Sequence, residues 1–319
     1  MTIHIGGLGG KQVVTLDWDV GQGAWQELLG AARGGLQQGW SYGEALRAGG
    51  VPVHRALLRG ADGAPVGVLQ VAQRRLAGPL GAAFLLRGPI WLRGHPDAGL
   101  ERAVLAGVGA RLRPAVLVWA PELPSPLARR PIITGYGTGW LDLGPGAEAV
   151  RRGLAGDWRA RLRQAEAGPL TVRRLASAHA VDWLLDHNEA HRRKVGYRGP
   201  SRRFLGQLVV AADAARELVL LLAFERAEPV AGIMILRHGA SATYEVGHVT
   251  PRGRELRATH LLLWRAVEIL IGLRVRWLDL GGIATDRSPG IARFKLGMGG
   301  EVATLPGTYL VRCPGRRLR

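Results

Sequence analysis

Residues 277–300 read WLDLGGIATDRSPGIARFKLGMGG. Trp277–Leu280 has the apolar character of a buried strand. It runs into Gly281-Gly282, a polar loop and a short segment carrying Arg293, Phe294 and Lys295. A strand that ends in glycines lets backbone approach a ligand closely. The lysine stands out. Lys and Arg together number 43, yet lysine occurs only at Lys11, Lys194 and Lys295. Where charge alone suffices, this chain uses arginine. A retained lysine fits a place needing a compact point charge or a titratable amine.

Working outward, the preceding residues predict strands Leu218–Phe224, Val230–Arg237 and Ser241–Val249, then a helix Arg254–Ile271. Before them come a strand Leu170–Leu175 and helices His179–Arg193 and Ser201–Ala214. His187 and His191 share a helical face at zinc-motif spacing. No Glu follows His187 directly and no third ligand is evident, so no metal is expected. Ala147–Ala167 reads as a basic helical segment interrupted at Gly153 and Gly156. Arg159 and Arg163 share one of its faces, as a solvated surface or as a phosphate or RNA contact.

The first half predicts helices Ala24–Ala32 and Ser41–Ala48, the second opened by Ser41 as N-cap with Glu44 completing a capping box. Strands Val51–Leu58 and Val66–Gln73 flank a turn at Asp62-Gly63. Strand Ala82–Leu86, helix Asp97–Arg113 and the apolar Ala115–Ala120 follow, the last reading as a strand buried on both faces. Pro121–Pro131 is a proline-rich connector.

The halves repeat. Ala64–Val71 (APVGVLQV) parallels Glu228–Ile235 (EPVAGIMI), and each is followed by a strand, a glycine-bearing loop, a long helix and a strand with tryptophan. An internal duplication predicts an α/β chain of two mixed sheets with helices packed across them. The boundaries read as 1–145 for the first domain, 146–168 for a helical connector and 169–319 for the second domain, which carries the lysine.

Composition narrows the function. The net charge of +18 and pI near 11.4 favour acidic partners: RNA, phosphorylated substrates or an anionic inner membrane surface. The excess is spread as arginine pairs rather than held in a basic tail. No run is long and apolar enough for a membrane span, and no secretory leader is read at the N-terminus, so a cytoplasmic protein is expected. The single Cys313 excludes an internal disulfide and a multi-cysteine metal site.

The repeated unit resembles the GNAT acyltransferase fold. The acyl-CoA donor of that fold rests on a Gln/Arg-x-x-Gly-x-Gly/Ala loop at a helix N-terminus. Thr250–Thr259 (TPRGRELRAT) has the arginines without the glycines, and His95–Gly99 fits less well. Two such units without that loop, ending in Asp-Leu-Gly-Gly-Ile (279–283), Phe-Lys (294–295) and Gly-Gly (299–300), resemble the FemABX family. That family transfers amino acids from aminoacyl-tRNA to the stem peptide of peptidoglycan precursors. The resemblance is strongest at Tyr244–Gly247, Leu261–Leu270, Leu278–Ile283 and Phe294-Lys295, and fainter at Gln38–Gly43, Arg87–Pro89 and Trp158–Arg163.

Carried over by position, the resemblance implies Lys295 and its aromatic partner Phe294 as catalytic. It implies substrate contacts at Tyr244, Glu245, His248, Asp279, Gly281, Gly282, Arg293, Trp40, Tyr42, Arg47, Arg87, Arg159 and Arg163. Leu46 stands where the family often carries a lysine for a nucleotide diphosphate, and Arg47 is the adjacent cation. The partners implied are aminoacyl-tRNA or acyl-CoA as donor and a phosphorylated or membrane-linked envelope precursor as acceptor, with no resident cofactor. Acyl-CoA-dependent N-acylation and non-catalytic binding to RNA or a membrane surface are the other readings.

Overall fold

The computed structural model describes residues 2–5, 12–77, 80–196, 199–283 and 289–312. Two compact units make up the chain, Met1–Tyr136 with Thr304–Arg319, and Gly137–Ala303. Among the described residues no helix is long and apolar enough to cross a membrane.

The first unit contains β1 (Thr2–Ile5), β2 (Gln12–Trp18), α1 (Gln22–Leu29), α2 (Trp40–Ala48), β3 (Val53–Arg59), β4 (Pro65–Ala77), β5 (Leu80–Leu86), β6 (Ile90–Trp91), α3 (Ala98–Leu112), β7 (Val116–Ala120) and β8 (Ile133–Thr134). The second contains β9 (Gly137–Asp142), α4 (Ala147–Gly153), α5 (Gly156–Glu166), β10 (Leu170–Arg174), α6 (Ala178–Val195), α7 (Arg202–Ala214), β11 (Leu218–Glu225), β12 (Glu228–His238), β13 (Ser241–Val249), α8 (Pro251–Glu255), α9 (Ala258–Gly272), β14 (Trp277–Ile283), α10 (Pro289–Leu296) and β15 (Glu301–Thr304). The last strand, β16 (Gly307–Val311), belongs to the first unit.

The sheet orders are β1-β2-β3-β4-β5-β7-β16-β8, with β6 on β4, and β10-β11-β12-β13-β14-β9-β15. The repeat read in the sequence is present as topology. β3-β4-β5 and β11-β12-β13 are antiparallel runs, α3 or α9 crosses the sheet, and β7 or β14 returns parallel to the strand before the helix. The next strand in each sheet comes from elsewhere in the chain. β9 lies antiparallel to β14, and β16 lies antiparallel to β7.

That exchange places the domain division differently from the sequence reading. Trp277 pairs with Asp142 and Asp279 with Trp140, so residues 137–145 belong to the second unit. Trp158 and Leu162 of α5 join the second core with Leu262 and Trp264 of α9, so the segment 146–168 is part of that unit rather than a connector. Tyr309 pairs with Trp119, which takes the end of the chain back to the first unit.

Local chemistry sets four of the helix starts. Asp97, Ser177, Ser201 and Thr250 each accept a hydrogen bond from a backbone N–H three residues on, as N-caps do. Two expectations are corrected. α2 starts at Trp40 behind Gly39 with no side-chain cap, and Ser41 is buried within the helix. Glu44 bonds instead to Arg55 (2.8 Å) and Arg47 (3.0 Å). β7 alternates in burial, with Leu117 and Trp119 in the core and their neighbours half-buried, because only one of its faces is covered by the core around α3.

Candidate active site

The second sheet opens between β13 and β14. Their parallel pairing covers Ser241, Ala242 and Thr243 against Trp277, Leu278 and Asp279, and stops. Beyond it β13 continues to Val249 and β14 to Ile283 without pairing to one another. A bulge in β13 accompanies the divergence. Met234 faces Val246 while Ile235 faces Tyr244, so Glu245 is the extra residue, and bulges bend and twist the strand that carries them. In the first sheet β5 and β7 stay paired from Ala82–Val116 to Leu86–Ala120. Only the second sheet is splayed at this point.

A cavity of about 480 Å³ lies at the splay, lined by Tyr244, Gly247 and His248 of β13, by Arg254, Arg257 and His260 at the α8–α9 turn, and by Phe294 and Lys295 of α10. Its described lining contains no carboxylate. Tyr244 lies against Gly247, where a Cβ would come within 1.8 Å of the phenol oxygen. Burial pushes the Tyr244 hydroxyl up to about 12, which keeps it protonated.

Lys295 is held from two sides. Its Nζ donates to the Gly282 carbonyl at 3.0 Å, and a Cβ on Gly281 would stand 3.4 Å from the same atom. Gly281 has φ +77°, a conformation that glycine adopts without strain. Asp279 shapes this turn. It is fully buried, and its Oδ1 accepts from the Gly281 N–H (2.8 Å) and from Thr138 Oγ1 (2.5 Å) on β9. Burial lowers the Lys295 ammonium below the ordinary lysine value, with the Asp279 charge acting in the opposite sense.

Aromatic and imidazole rings form the walls. Phe294 meets His260 edge-on at 4.9 Å, and Trp158 lies 4.9 Å from His260 and 6.0 Å from Phe294. His260 Nε2 and Trp158 Nε1 are buried without a partner among the described residues. His248 lies 4.9 Å from His187 with the rings tilted by 39°, and it meets Trp183 edge-on at 5.7 Å. Both His248 and His260 are lowered to about 4, chiefly by burial and then by a neighbouring basic group, His187 for the first and Arg161 for the second. They are neutral at pH 7.

The turn entering α9 is Thr250–Thr259, the stretch whose sequence has arginines without the acyl-CoA glycine pattern. Here the short helix α8 fills it. The amides of Arg254, Leu256 and Arg257 bond to carbonyls of Thr250, Arg252 and Arg254, and the Gly253 amide bonds to Thr250 Oγ1. Gly253 packs so tightly that a Cβ would lie 2.3 Å from the Val230 carbonyl. Arg252 is engaged by Glu225 and Glu255. The cations left on the cavity are the side chains of Arg254, Arg257 and Lys295.

Among the residues singled out from the sequence, Tyr244, His248, Phe294 and Lys295 share this cavity, with Asp279, Gly281 and Gly282 behind Lys295 on β14. Glu245 marks the bulge. Arg293 and Arg163 are exposed, and Arg159 donates to the Arg152 carbonyl. The others lie in the first unit. Trp40 carries the Arg55 guanidinium 3.6 Å above its ring, Arg47 bonds to Glu44 and to the Val53 carbonyl, and Tyr42 lines a separate cavity of about 190 Å³. Arg87 is neutralised by a bidentate pair with Glu122 (2.6 and 2.7 Å). The sequence reading did not single out Arg254, Arg257 or His260. The Thr250-Pro251 pair, a helix-start signal, was the clue available for that turn.

Residues 152–296 match the acetyltransferase (GNAT) domain family. The second half of the chain is a GNAT acyltransferase domain. Around it, the whole chain shares its tandem fold with FemX (12% identity, TM-score 0.75, covering 92% of this chain and 96% of that one). It is also similar to a tandem GNAT protein from the clavulanic acid biosynthesis pathway (16% identity, TM-score 0.54, 95% and 100% covered). A third similar structure is L-PGS from Bacillus licheniformis (12% identity, TM-score 0.51, 93% of each chain covered). No curated protein matches the sequence. The splay between β13 and β14 opens onto the cavity described above, and Lys295 stands on its margin.

Proposed function

We propose that the protein is a FemAB-like aminoacyltransferase, moving an aminoacyl group from aminoacyl-tRNA to an amine of a peptidoglycan-type envelope precursor on the cytoplasmic side. The observation that carries this reading is the turn before α9. Its amides at Gly253, Arg254, Leu256 and Arg257 are bonded within the turn, which leaves them unable to cradle a coenzyme A pyrophosphate. Arginine side chains remain, and these suit the phosphodiesters of a tRNA acceptor end. Likeness in fold to FemX and to L-PGS supports the same choice.

In this reaction the acceptor amine attacks the ester carbonyl, a C–N bond forms and the bond to the ribose oxygen breaks. Charge builds on the carbonyl oxygen. The Lys295 ammonium spends one of its three protons on Gly282 and has two left for that oxyanion. Because the cavity is lined without a carboxylate, the acceptors available for the amine proton are neutral imidazoles, those of His248 and His260, from which it passes on to the leaving ribose oxygen. Phe294 is held by His260 and Trp158, so it serves as a wall of the acyl site.

Ligand-dependent melting tests the donor. Charged tRNA is expected to raise the melting temperature at concentrations where coenzyme A and acetyl-CoA do not. Stabilisation by acyl-CoA alone would favour N-acylation from coenzyme A within the same fold.

A further inference from the structure

A second cavity lies in the first unit, away from the splay. It is a groove of about 800 Å³ between α3, β7, β16 and the connector at residues 127–130. Its floor is apolar: Leu105, Ala106, Leu127 and Val311 with the rings of Trp119 and Tyr309. The two polar atoms that could spoil this floor are turned away. Trp119 Nε1 donates to the Gly88 carbonyl at 3.0 Å, and the Tyr309 hydroxyl donates to the Pro306 carbonyl at 2.8 Å. Leu310, 53% exposed, extends the apolar surface at the rim.

Four arginines edge the groove: Arg102, Arg129, Arg130 and Arg312. All are exposed, and none has an acidic partner among the described residues. What distinguishes them is their place at the edge of an apolar floor, whereas other arginines are held by carboxylates, as Arg87 is by Glu122, Arg151 by Glu166 and Arg202 by Asp182 and Asp186. An apolar trough with unpaired cations at its edge matches a ligand with an apolar body and an anionic head. RNA fits it poorly. Phosphates would suit the arginines, but the floor offers a nucleotide no hydrogen bond, and Trp119 is too buried (1% exposed) to stack on a base.

We infer that this groove is a binding site for an anionic phospholipid, with an acyl chain along the floor and the phosphate on the arginines. The volume is in the range of sites that enclose a small ligand. Clustered arginines at an anionic leaflet add attraction residue by residue, and a buried acyl segment adds an apolar component that salt does not screen. The site concerns the first unit alone and stands whether or not the second unit uses aminoacyl-tRNA.

The test is co-sedimentation of the full chain with phosphatidylcholine vesicles containing or lacking phosphatidylglycerol. Binding is expected only with the anionic lipid, with a fraction that survives raised salt. Joint replacement Arg102→Gln, Arg129→Gln, Arg130→Gln and Arg312→Gln should weaken it by at least about tenfold. Replacing as many exposed arginines of the second unit (Arg203, Arg216, Arg226 and Arg274, each to Gln) should leave most of the binding in place. Ala106→Trp, which fills the groove, and Leu310→Asp, an exposed change that does not test the fold, should each abolish the salt-resistant fraction. Equal losses from the two arginine sets would show diffuse attraction to the net charge and overturn the proposal. So would unchanged binding in both groove variants, or RNA binding or self-association through these arginines without vesicle binding.

Discussion

Lys295 Nζ donates at 3.0 Å to the carbonyl of Gly282, thirteen residues earlier in the chain, and this bond ties α10 to the open end of β14. It keeps an ammonium at the one place where the second sheet has parted. A positive charge held here lowers the energy of an oxyanion without moving during the reaction.

Lys295→Met should therefore reduce the transfer rate by about 10²–10³ with little change in donor affinity, as measured by single-turnover transfer and by binding. Lys295→Arg should not restore it, because a planar fork does not replace a point charge seated on one carbonyl. The melting temperature should stay level or rise, since the substitution removes a desolvated charge.

The rate should also carry a high-pH limb. Burial lowers the Lys295 pKa, so the ammonium is lost, and the rate falls, at a pH below that at which an ordinary lysine titrates. The stability sign is opposite. The folded state releases this proton before the unfolded state does, so raising the pH through the lowered value increases stability. A pH–rate profile should show the limb, and Lys295→Met should lack it.

Acid should destabilise the second unit well before its carboxylates protonate. His248 and His260 titrate at about 4 when folded against 6.5 as model groups, so their contribution is complete above pH 6.5 and is lost as pH falls toward 4. Melting temperature measured across that window should drop, and His260→Phe should flatten the slope. An unchanged slope would mean that His260 is not held neutral.

Asp279 is assigned to architecture. Asp279→Ala strands the Thr138 hydroxyl and the Gly281 N–H and loosens β9 from β14, at a cost of about 2–4 kcal/mol in denaturant unfolding. Asp279→Asn keeps an acceptor and should cost less. Loss of activity in both variants with full stability retained would contradict this and make Asp279 a participant in the chemistry.

The legibility of this chain follows from which constraints are local. Apolar runs gave β11, β12 and β13, and Asp97 and Ser201 opened the predicted helices that they cap, because an N-cap needs only its own next turn. The lysine and the glycines before it stood out by composition, and they do meet in space. What stayed hidden was long-range. Gly137-Thr138-Gly139-Trp140 has no strand signature, and it is a strand because β14 offers it an edge. Ser41 and Glu44 match a capping box, but Arg55 across the fold claims Glu44. Arg87 gave no hint of Glu122, its partner 35 residues on. His260 was masked by an apolar helix whose N-terminus happens to face the cavity.

The most direct measurement presents labelled aminoacyl-tRNA and labelled acyl-CoA side by side, with an envelope-precursor amine as acceptor. Transfer is expected from aminoacyl-tRNA, sharply reduced in Lys295→Met and absent with acyl-CoA. Transfer from acyl-CoA alone, or transfer from aminoacyl-tRNA that is indifferent to Lys295, would contradict the account.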